Sequence, residues 1–319
     1  MPANATFTEI VTSTLREHPS EIADNVSDHN ALYRRLKTRK RVTIDGGYEI
    51  VRSLDYAENP NYQRFSMYDT LAIGAGDVLS AAKYDWVNAA VHIAAAGEEL
   101  RKNNGKNQIF NLVKARINNA KRTAANNMSI DLYSSGALTN QMGGLALIIQ
   151  NDGTGTVGGI VSGTYTFWKN QFHEITGTNT WSKANIKGYM NTLWLQCVRG
   201  GDKPDLLVSS HDFFSAYWES LQDLQRYSSS DSATAGFQNL KYVTADCIFD
   251  SNSNFGTTAE KMYFLNTDYL ELVFHEEASW TVGEEKMSIN QDAVIIPILS
   301  MHQLVCSNRS LQGVLIDAA

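Results

Sequence analysis

The sequence predicts an α+β protein, on the evidence of its composition, its low charge content and the spacing of its apolar residues. The chain has 319 residues, of which 43% are hydrophobic and only 19% are charged. This length can bury a large core, and frequent Asn, Ser, Thr and Gly favour strands and turns over long salt-bridged helices. Helical spacing is confined to a few segments, so we expect helices and strands to be mixed.

Charge is divided unevenly along the chain, although the net charge is only −7. Residues 1–134 carry 17 basic and 15 acidic side chains, whereas residues 135–319 carry 10 basic and 19 acidic ones. This division indicates two parts with different surroundings. An ordinary acidic domain beside a nearly neutral one explains it as well.

The cysteines and the apolar runs argue against several classes of protein. Cys197, Cys247 and Cys306 include no C-x-x-C pair, which argues against a zinc knuckle and a redox motif, and their odd number argues against a secreted disulfide framework. The longest wholly apolar stretch, residues 293–299, is too short to cross a bilayer, and no leader pattern begins the chain. We expect no cofactor, no metal and no membrane.

Residues 1–41 are predicted to form an N-terminal arm that ends in a basic cluster. A helix is expected near residues 21–36, and the cluster consists of Arg34, Arg35, Lys37, Arg39, Lys40 and Arg41. A helix dipole stabilises cations at its C-terminal end, so a solvated helix end explains them. Contact with an acidic neighbouring subunit or with nucleic acid is the alternative, and we prefer the subunit contact.

Residues 42–95 are predicted to be a projecting β-hairpin that returns as a strand. A turn signal at residues 45–47 separates two strand-like runs, at residues 42–44 and 48–54. Aromatic and polar residues then alternate from Tyr62 to Tyr68, and a strand is expected across residues 84–93.

The clearest helix is expected across residues 107–133. Apolar residues recur there at spacings of three and four, which place them on one helix face. They are Ile109, Val113, Ile117, Ala120, Ala124 and Met128. A helix of about 27 residues is about 40 Å long and could cross the whole subunit.

The second half of the chain is predicted to be an α/β lobe followed by a closing sheet. The lobe has strands at residues 145–149, 206–208 and 240–249, and helices after Ser182 and from His211 onward. Strands dominate from Met262 to the end of the chain. Pro297 cannot donate a ladder hydrogen bond, so we expect its strand to be at an edge or bulged.

No catalytic constellation is predicted. Residues 153–159 formally contain G-x-G-x-x-G, but β-branched and aromatic residues follow where dinucleotide binding needs a helix to begin. Residues 210–212 are Ser-His-Asp, yet adjacent residues cannot orient one another as a catalytic triad, and capping of the next helix explains the serine and the aspartate better. His275 lacks a second histidine at helical spacing. We therefore nominate no catalytic residue and expect no enzyme.

The order of these segments resembles the Hong Kong 97 fold of tailed-bacteriophage major capsid proteins. One stretch of the sequence gives a more specific match: it is similar to the G-G-I…T-Y…W-x-N-Q stretch of a group of these proteins. Its matching residues are Gly158-Gly159-Ile160, Thr164-Tyr165, Trp168 and Asn170-Gln171. It differs at Val161-Ser162, where the group usually has an Asp–Arg-like pair. A second match runs from Tyr84-Asp85-Trp86 to Gly97-Glu98-Glu99-Leu100, directly before the long helix. Together they span about residues 30–180.

The resemblance implies a division of the chain and a function. The division is 1–41 as N-terminal arm, 42–95 as extended loop and return strand, 96–139 as peripheral domain with the spine helix, 140–255 as axial domain, and 256–319 as the return to the peripheral domain and the C-terminal strands. The implied product is an icosahedral shell of pentamers and hexamers around packaged double-stranded DNA. The resemblance also implies that the chain is a virion protein assembled in the host bacterial cytoplasm, with portal and scaffolding proteins as further partners.

The residues expected to contact a neighbouring subunit lie in the arm and the extended loop. They are Arg34, Arg35, Arg39, Lys40, Arg41, Asp45, Gly46, Gly47, Tyr62 and Arg64. Some proteins of this kind join subunits covalently through a lysine on that loop. Residues 42–82 contain no lysine, so non-covalent contacts are expected.

Two other functions stay open at this point. One is an encapsulin-like cargo compartment with the same fold but without packaged DNA. The other is a β-rich hydrolase or carbohydrate-binding protein that uses His275, Glu276 and exposed tryptophans such as Trp168 and Trp181.

Overall fold

The computed structural model describes residues 31–71, 73–74, 76–102, 112–175, 181–222, 240–250, 260–284, 286–287 and 291–317. Within these ranges the chain forms two six-stranded sheets, two separate two-stranded hairpins and six α-helices. The mixture of sheets and helices confirms the predicted α+β class.

The helices and strands follow one another along the chain in a mixed order. The helices are α1 (Ala31–Thr38), α2 (Gly97–Lys102), α3 (Leu112–Leu132), α4 (Leu145–Ile148), α5 (Ile186–Cys197) and α6 (His211–Gln222). The strands are β1 (Val42–Asp45), β2 (Ile50–Asp55), β3 (Leu79–Tyr84), β4 (Val87–Ala96), β5 (Thr156–Val157), β6 (Ile160–Val161), β7 (Gln171–Ile175), β8 (Leu206–Ser209), β9 (Leu240–Tyr242), β10 (Ala245–Phe249), β11 (Glu260–Leu265), β12 (Leu270–His275), β13 (Thr281–Val282), β14 (Lys286–Met287), β15 (Ala293–Cys306) and β16 (Gly313–Asp317).

Helix α3 confirms the predicted long helix. Ala120, Ala124 and Met128 are buried, as their spacing on one helix face predicts. Residues 107–111 of the predicted helix lie outside the described residues, as do residues 21–30 of the predicted arm helix. The described part of the arm helix is α1.

The first six-stranded sheet, the long-strand sheet, is organised around β15. One side of β15 pairs with β4 over ten positions, and the other side pairs with β12, β13 and β14. β1 adds to β12 in parallel. Pro297 is therefore not in an edge strand, which corrects one of the two alternatives predicted for it. It lies between the β13 and β14 pairings, where its carbonyl accepts from the Gly283 N–H.

The second six-stranded sheet, the lobe sheet, has the order β7-β16-β11-β8-β10-β9 and packs against α5 and α6. The predicted α/β lobe is thus present. Strands β11 and β16, which belong to the last segment of the expected division, residues 256–319, pair inside this sheet. A fully buried apolar strand has the same sequence pattern in either sheet, so its sequence does not select its partner.

The projecting hairpin is present, but different strands form it from those predicted. β2 and β3 pair antiparallel from Ile50–Tyr84 to Asp55–Leu79, and we call residues 50–84 the extended hairpin. β1 pairs with β12 instead of β2, so the hairpin predicted around residues 45–47 is wrong. Gly47 has a φ of +106°, and this turn redirects the chain from the long-strand sheet into the hairpin.

Two other local expectations are corrected. Residues 145–148 form helix α4 and not a strand, because a short apolar run has no period that separates a buried helix from a buried strand. The Ser210 hydroxyl has no hydrogen-bond partner among the described residues, so its side chain does not cap α6. The Ser210 carbonyl accepts from the Phe214 N–H instead.

His302 is a buried imidazole in the long-strand sheet. Its side chain is 2% exposed, and its ring lies between those of Phe274 and Trp280, with centroid distances of 5.6 and 5.9 Å. Its Nδ1 is 3.0 Å from the Ser300 hydroxyl. Burial lowers the pKa of His302 to about 4, because the charged form loses its hydration.

We expect the unassembled subunit to lose roughly 3 kcal/mol of unfolding free energy through His302 as the pH falls from about 6.5 to about 4. In this range the unfolded chain binds a proton on this imidazole and the folded chain does not, so acid favours the unfolded chain. Urea unfolding at pH 7 and at pH 4.5 measures the loss. The His302→Gln variant should lose less unfolding free energy between these two pH values than the wild-type subunit does. The His92→Gln variant, which is changed at an exposed position, should lose as much as wild type. Equal losses of unfolding free energy in wild type and in both variants would contradict the assignment of this pH dependence to His302.

Candidate assembly surface

The extended hairpin exposes a set of large apolar side chains to solvent. They are Tyr62, Phe65, Met67, Tyr68, Leu71, Ile73 and Leu79. Met67, Tyr68 and Ile73 are 90%, 97% and 94% exposed. Isolated exposed apolar residues are ordinary, whereas a concentration of them on one projecting element is typical of an interaction surface. The residues that the structure describes leave these side chains open to solvent.

The tip of the extended hairpin is held by short polar contacts. The Asn61 side chain donates to the Gly74 carbonyl at 2.6 Å and accepts from the Gly74 N–H at 3.0 Å. Asp69 accepts from the Ser66 N–H at 2.7 Å. Tyr62 and Arg64, two of the predicted contact residues, lie on this tip and are exposed. The tip thus keeps a defined shape while its apolar side chains face solvent.

The base of the extended hairpin is held by an arginine between two carboxylates. Arg52 of β2 lies 3.2 Å from Asp45 and 3.0 Å from Glu271 of β12. The Gly46 N–H donates to Asp45, and this hydrogen bond, followed by Arg52, lowers the pKa of that carboxyl. The Gly47 carbonyl accepts from the Trp86 indole N–H at 2.9 Å. Residues 45–47 therefore support the hairpin base within their own subunit.

A lysine also lies on the extended hairpin, one residue beyond the range 42–82 considered in the sequence. Lys83 belongs to β3, and its ammonium group is 3.4 Å from the Glu49 carboxylate. It is at the base of the hairpin and not at the tip. That the hairpin makes non-covalent contacts remains a prediction.

Three arginines of the basic cluster contact carboxylates of the acidic half of the same chain. Arg35 lies 3.0 Å from Asp246 and 3.6 Å from Asp205, and Arg39 lies 3.2 Å from Asp205. Arg41 lies 2.7 Å from Asp268. The attraction expected from the uneven charge division therefore acts within the subunit for these residues. Lys37 and Lys40 are exposed and form no ion pair within the described ranges, and Arg34 is exposed on α1.

We expect the combined reversal of Arg39, Lys40 and Arg41 to glutamate to block assembly and also to weaken the subunit. A carboxylate at position 39 or 41 would face Asp205 or Asp268, at a cost of roughly 1 kcal/mol each. Urea unfolding and sedimentation measure the two effects. Lys40→Glu alone is the control: it should leave subunit stability unchanged, so that any loss of particles reports a contact with a neighbour. Normal particles from the triple variant would refute an assembly role for the cluster.

The described residues offer little for catalysis or metal binding. They contain no group of three or more His, Cys, Asp or Glu side chains that could hold a metal ion, and none of their helices is long and apolar enough to span a bilayer. Burial raises the pKa of the three cysteine thiols to about 12, so the reactive thiolate is scarce.

The residues proposed for carbohydrate binding have other roles. Trp168 is 2% exposed, and its indole N–H donates to the Val157 carbonyl at 2.9 Å, so the expectation that it is exposed is wrong. Trp181 packs edge-on against Phe213 in the lobe core. His275 accepts from the Glu277 N–H and packs edge-on against Trp86. These side chains support the fold.

No protein-family model matches the sequence, and a search of curated proteins finds no match. Solved structures do match over nearly the whole chain. A chain of the cyanophage A-1(L) capsid asymmetric unit has a TM-score of 0.70 at 15% identity and covers 94% of this chain and 96% of its own. The capsid of a native GTA particle has a TM-score of 0.67 at 11% identity, covering 95% and 94%. The holo-SrpI encapsulin complex from Synechococcus elongatus has a TM-score of 0.58 at 7% identity, covering 96% and 94%.

The chain therefore has the fold found in phage capsids and in an encapsulin, which confirms the predicted Hong Kong 97-type fold. Sequence reasoning placed Tyr62 and Arg64 on the projecting element but missed Phe65, Met67 and Ile73. The available signal was the concentration of large apolar side chains in a segment that contains Pro60, Gly74 and Gly76 and therefore does not read as a buried helix or a central strand.

Proposed function

We propose that the chain is the major capsid protein of a tailed bacteriophage and builds the icosahedral shell around packaged double-stranded DNA. The observation that carries this proposal is the extended hairpin, which presents uncovered apolar side chains on a subunit with a capsid fold. Burying such side chains against a neighbouring copy is favourable by about 25 cal/mol per Å². Symmetric repetition adds many modest contacts into a stable shell.

The proposed partners are copies of the same chain in pentamers and hexamers, together with portal and scaffolding proteins and DNA bound without sequence specificity. The role is structural and not enzymatic, and assembly takes place in the cytoplasm of a bacterial host. Within the subunit, we assign the peripheral domain to the long-strand sheet with α3 and the axial domain to the lobe sheet with α5 and α6. The contacts of α3 with β4 and of α5 and α6 with the lobe sheet support this division.

Expression of the chain in bacteria, followed by sedimentation and negative-stain electron microscopy, tests the proposal. We expect closed shells of uniform size, formed either by the chain alone or with its genomic neighbours. A monomer that stays discrete at all concentrations and with those neighbours would refute it.

An encapsulin-like compartment is the second candidate, because an encapsulin complex shares the fold over 96% of this chain. The content of particles purified from the native source separates the two functions. Double-stranded DNA and a portal at one vertex support the capsid, whereas a protein cargo without DNA supports the compartment.

A further inference from the structure

A tight glycine turn lies directly against the base of the extended hairpin. β5 and β6 are joined by Gly158 and Gly159, with φ values of +59° and +76°. The Gly158 carbonyl accepts from the Lys83 N–H of β3 at 3.0 Å. A Cβ atom added at Gly158 would lie 2.8 Å from the Cβ of Ala82 and 3.2 Å from the ring of Tyr84. The turn therefore meets β3 backbone to backbone, at a distance that only glycine permits.

A second contact holds the other strand of the extended hairpin. Tyr56, which directly follows β2, stacks on Phe167 with ring centroids 4.8 Å apart and planes inclined by 20°. Trp168, next to Phe167, donates its indole N–H to the Val157 carbonyl of β5. This hydrogen bond joins the glycine turn and Phe167 into one unit, and we call residues 155–168 the hairpin seat.

The hairpin seat is fastened to the body of the subunit by a buried arginine. Arg309 is fully buried and donates to the Ile148 carbonyl at 2.6 Å, the Thr154 carbonyl at 3.1 Å and the Asn170 side chain at 2.9 Å. The Asn170 side chain also accepts from the Gln150 N–H and donates to the Gln150 carbonyl. The residues that flank the seat on both sides, Thr154 and Asn170, are thus held by the same guanidinium group, and moving the seat would strain these hydrogen bonds.

We infer that the hairpin seat is a positioning element that sets the direction in which the extended hairpin leaves the subunit. Within the described residues, β2 and β3 pair only with each other, so contacts at the base determine the direction of the hairpin. Strands of six residues extend about 20 Å, so a small tilt at the base becomes a large displacement at the tip. This inference rests on the proposed function, because the direction matters only if the tip docks on a neighbouring copy.

Gly158→Ala and Gly159→Ala form a matched pair that tests the inference. Both positions have positive φ, so an alanine strains the backbone at each of them to a similar degree. Only the alanine at position 158 meets the hairpin, since a Cβ at Gly159 has nothing within 4 Å. We expect Gly158→Ala to yield at least about tenfold fewer shells than Gly159→Ala, because every subunit of a shell repeats the altered contact.

A distance measurement separates altered direction from simple loss of stability. Two spin labels, one at Tyr68→Cys on the tip and one at Lys203→Cys on the body of the same subunit, report the hairpin direction before assembly. The native cysteines are buried, so the labels attach at the two introduced positions. We expect the distance to shift in Gly158→Ala and to match wild type in Gly159→Ala. Adding Ala82→Gly to Gly158→Ala removes the nearest colliding atom and should restore the wild-type distance and part of the shell yield.

The remaining outcomes distinguish a failure of this inference from a failure of the proposed capsid function. Equal shell yields and equal distances in the matched pair would overturn the inference while the capsid function stands. No shells from the wild-type chain with its genomic neighbours would overturn the function itself. If Gly158→Ala fails to fold, Phe167→Leu removes the stack on Tyr56 without backbone strain. It should broaden the distance distribution, and an unchanged distribution would overturn the inference.

Discussion

Replacement of Met67, Tyr68 and Ile73 together by aspartate is expected to abolish shell formation and to leave the subunit folded. These side chains are 90% or more exposed in the subunit, so its own stability depends little on them. In a shell they would be buried against a neighbour, at roughly 1.5–3 kcal/mol for each large apolar side chain. The triple variant loses this gain and would in addition bury unpaired carboxylates, so the contact becomes unfavourable.

Sedimentation velocity and thermal unfolding of the same preparations measure the two halves of this prediction. The matched control is Met67→Leu, Tyr68→Phe and Ile73→Val, which keeps the positions apolar and should assemble normally. Shells from the aspartate variant at wild-type yield would show that the hairpin tip is not a contact surface. Failure of the conservative variant as well would mean that shape, and not apolar burial, decides the contact.

The elements that the sequence predicted well are those whose pattern is local. Helix α3 shows a regular spacing through Ala120, Ala124 and Met128, and this spacing reports a buried face wherever the helix packs. The prediction of a turn at residues 45–47 was also right, because Gly47 needs a positive φ. The pairing of the flanking strands was wrong, since a turn signal shows that the chain bends but does not select the partner of each strand.

The candidate assembly surface could be predicted only in part, for a related reason. We expected the basic end of the arm to contact the acidic half of a neighbouring subunit, whereas Arg35 and Arg39 contact Asp205 within their own subunit. Composition cannot tell whether such partners lie in the same chain or in a neighbouring one, because the Coulomb attraction is the same. Arg52 and Glu271 lie 219 residues apart in sequence, so their contact depends on the whole fold.

Replacement of Arg309 by methionine is expected to destabilise the subunit by about 3 kcal/mol, measured by urea unfolding. Methionine roughly fills the space of the arginine side chain but leaves the Ile148 and Thr154 carbonyls without the hydrogen bonds that Arg309 donates. The Asn170 side-chain oxygen still accepts from the Gln150 N–H. Part of the loss is offset, because one guanidinium nitrogen has no hydrogen-bond partner among the described residues and burial lowers the pKa of Arg309. Arg199→Met, at an exposed position, is the matched control and should change stability by less than about 0.5 kcal/mol.

Arg309→Lys separates the charge of this residue from its geometry. Lysine keeps the positive charge but lacks the planar fork that reaches three acceptors at once, so we expect it to destabilise the subunit about as much as methionine does. If lysine instead preserved wild-type stability, the charge alone would hold the seat and the fork would be dispensable. If methionine preserved wild-type stability, the burial cost of the cation would equal the gain from its hydrogen bonds, and contacts other than those of Arg309 would have to hold the hairpin seat on the body of the subunit.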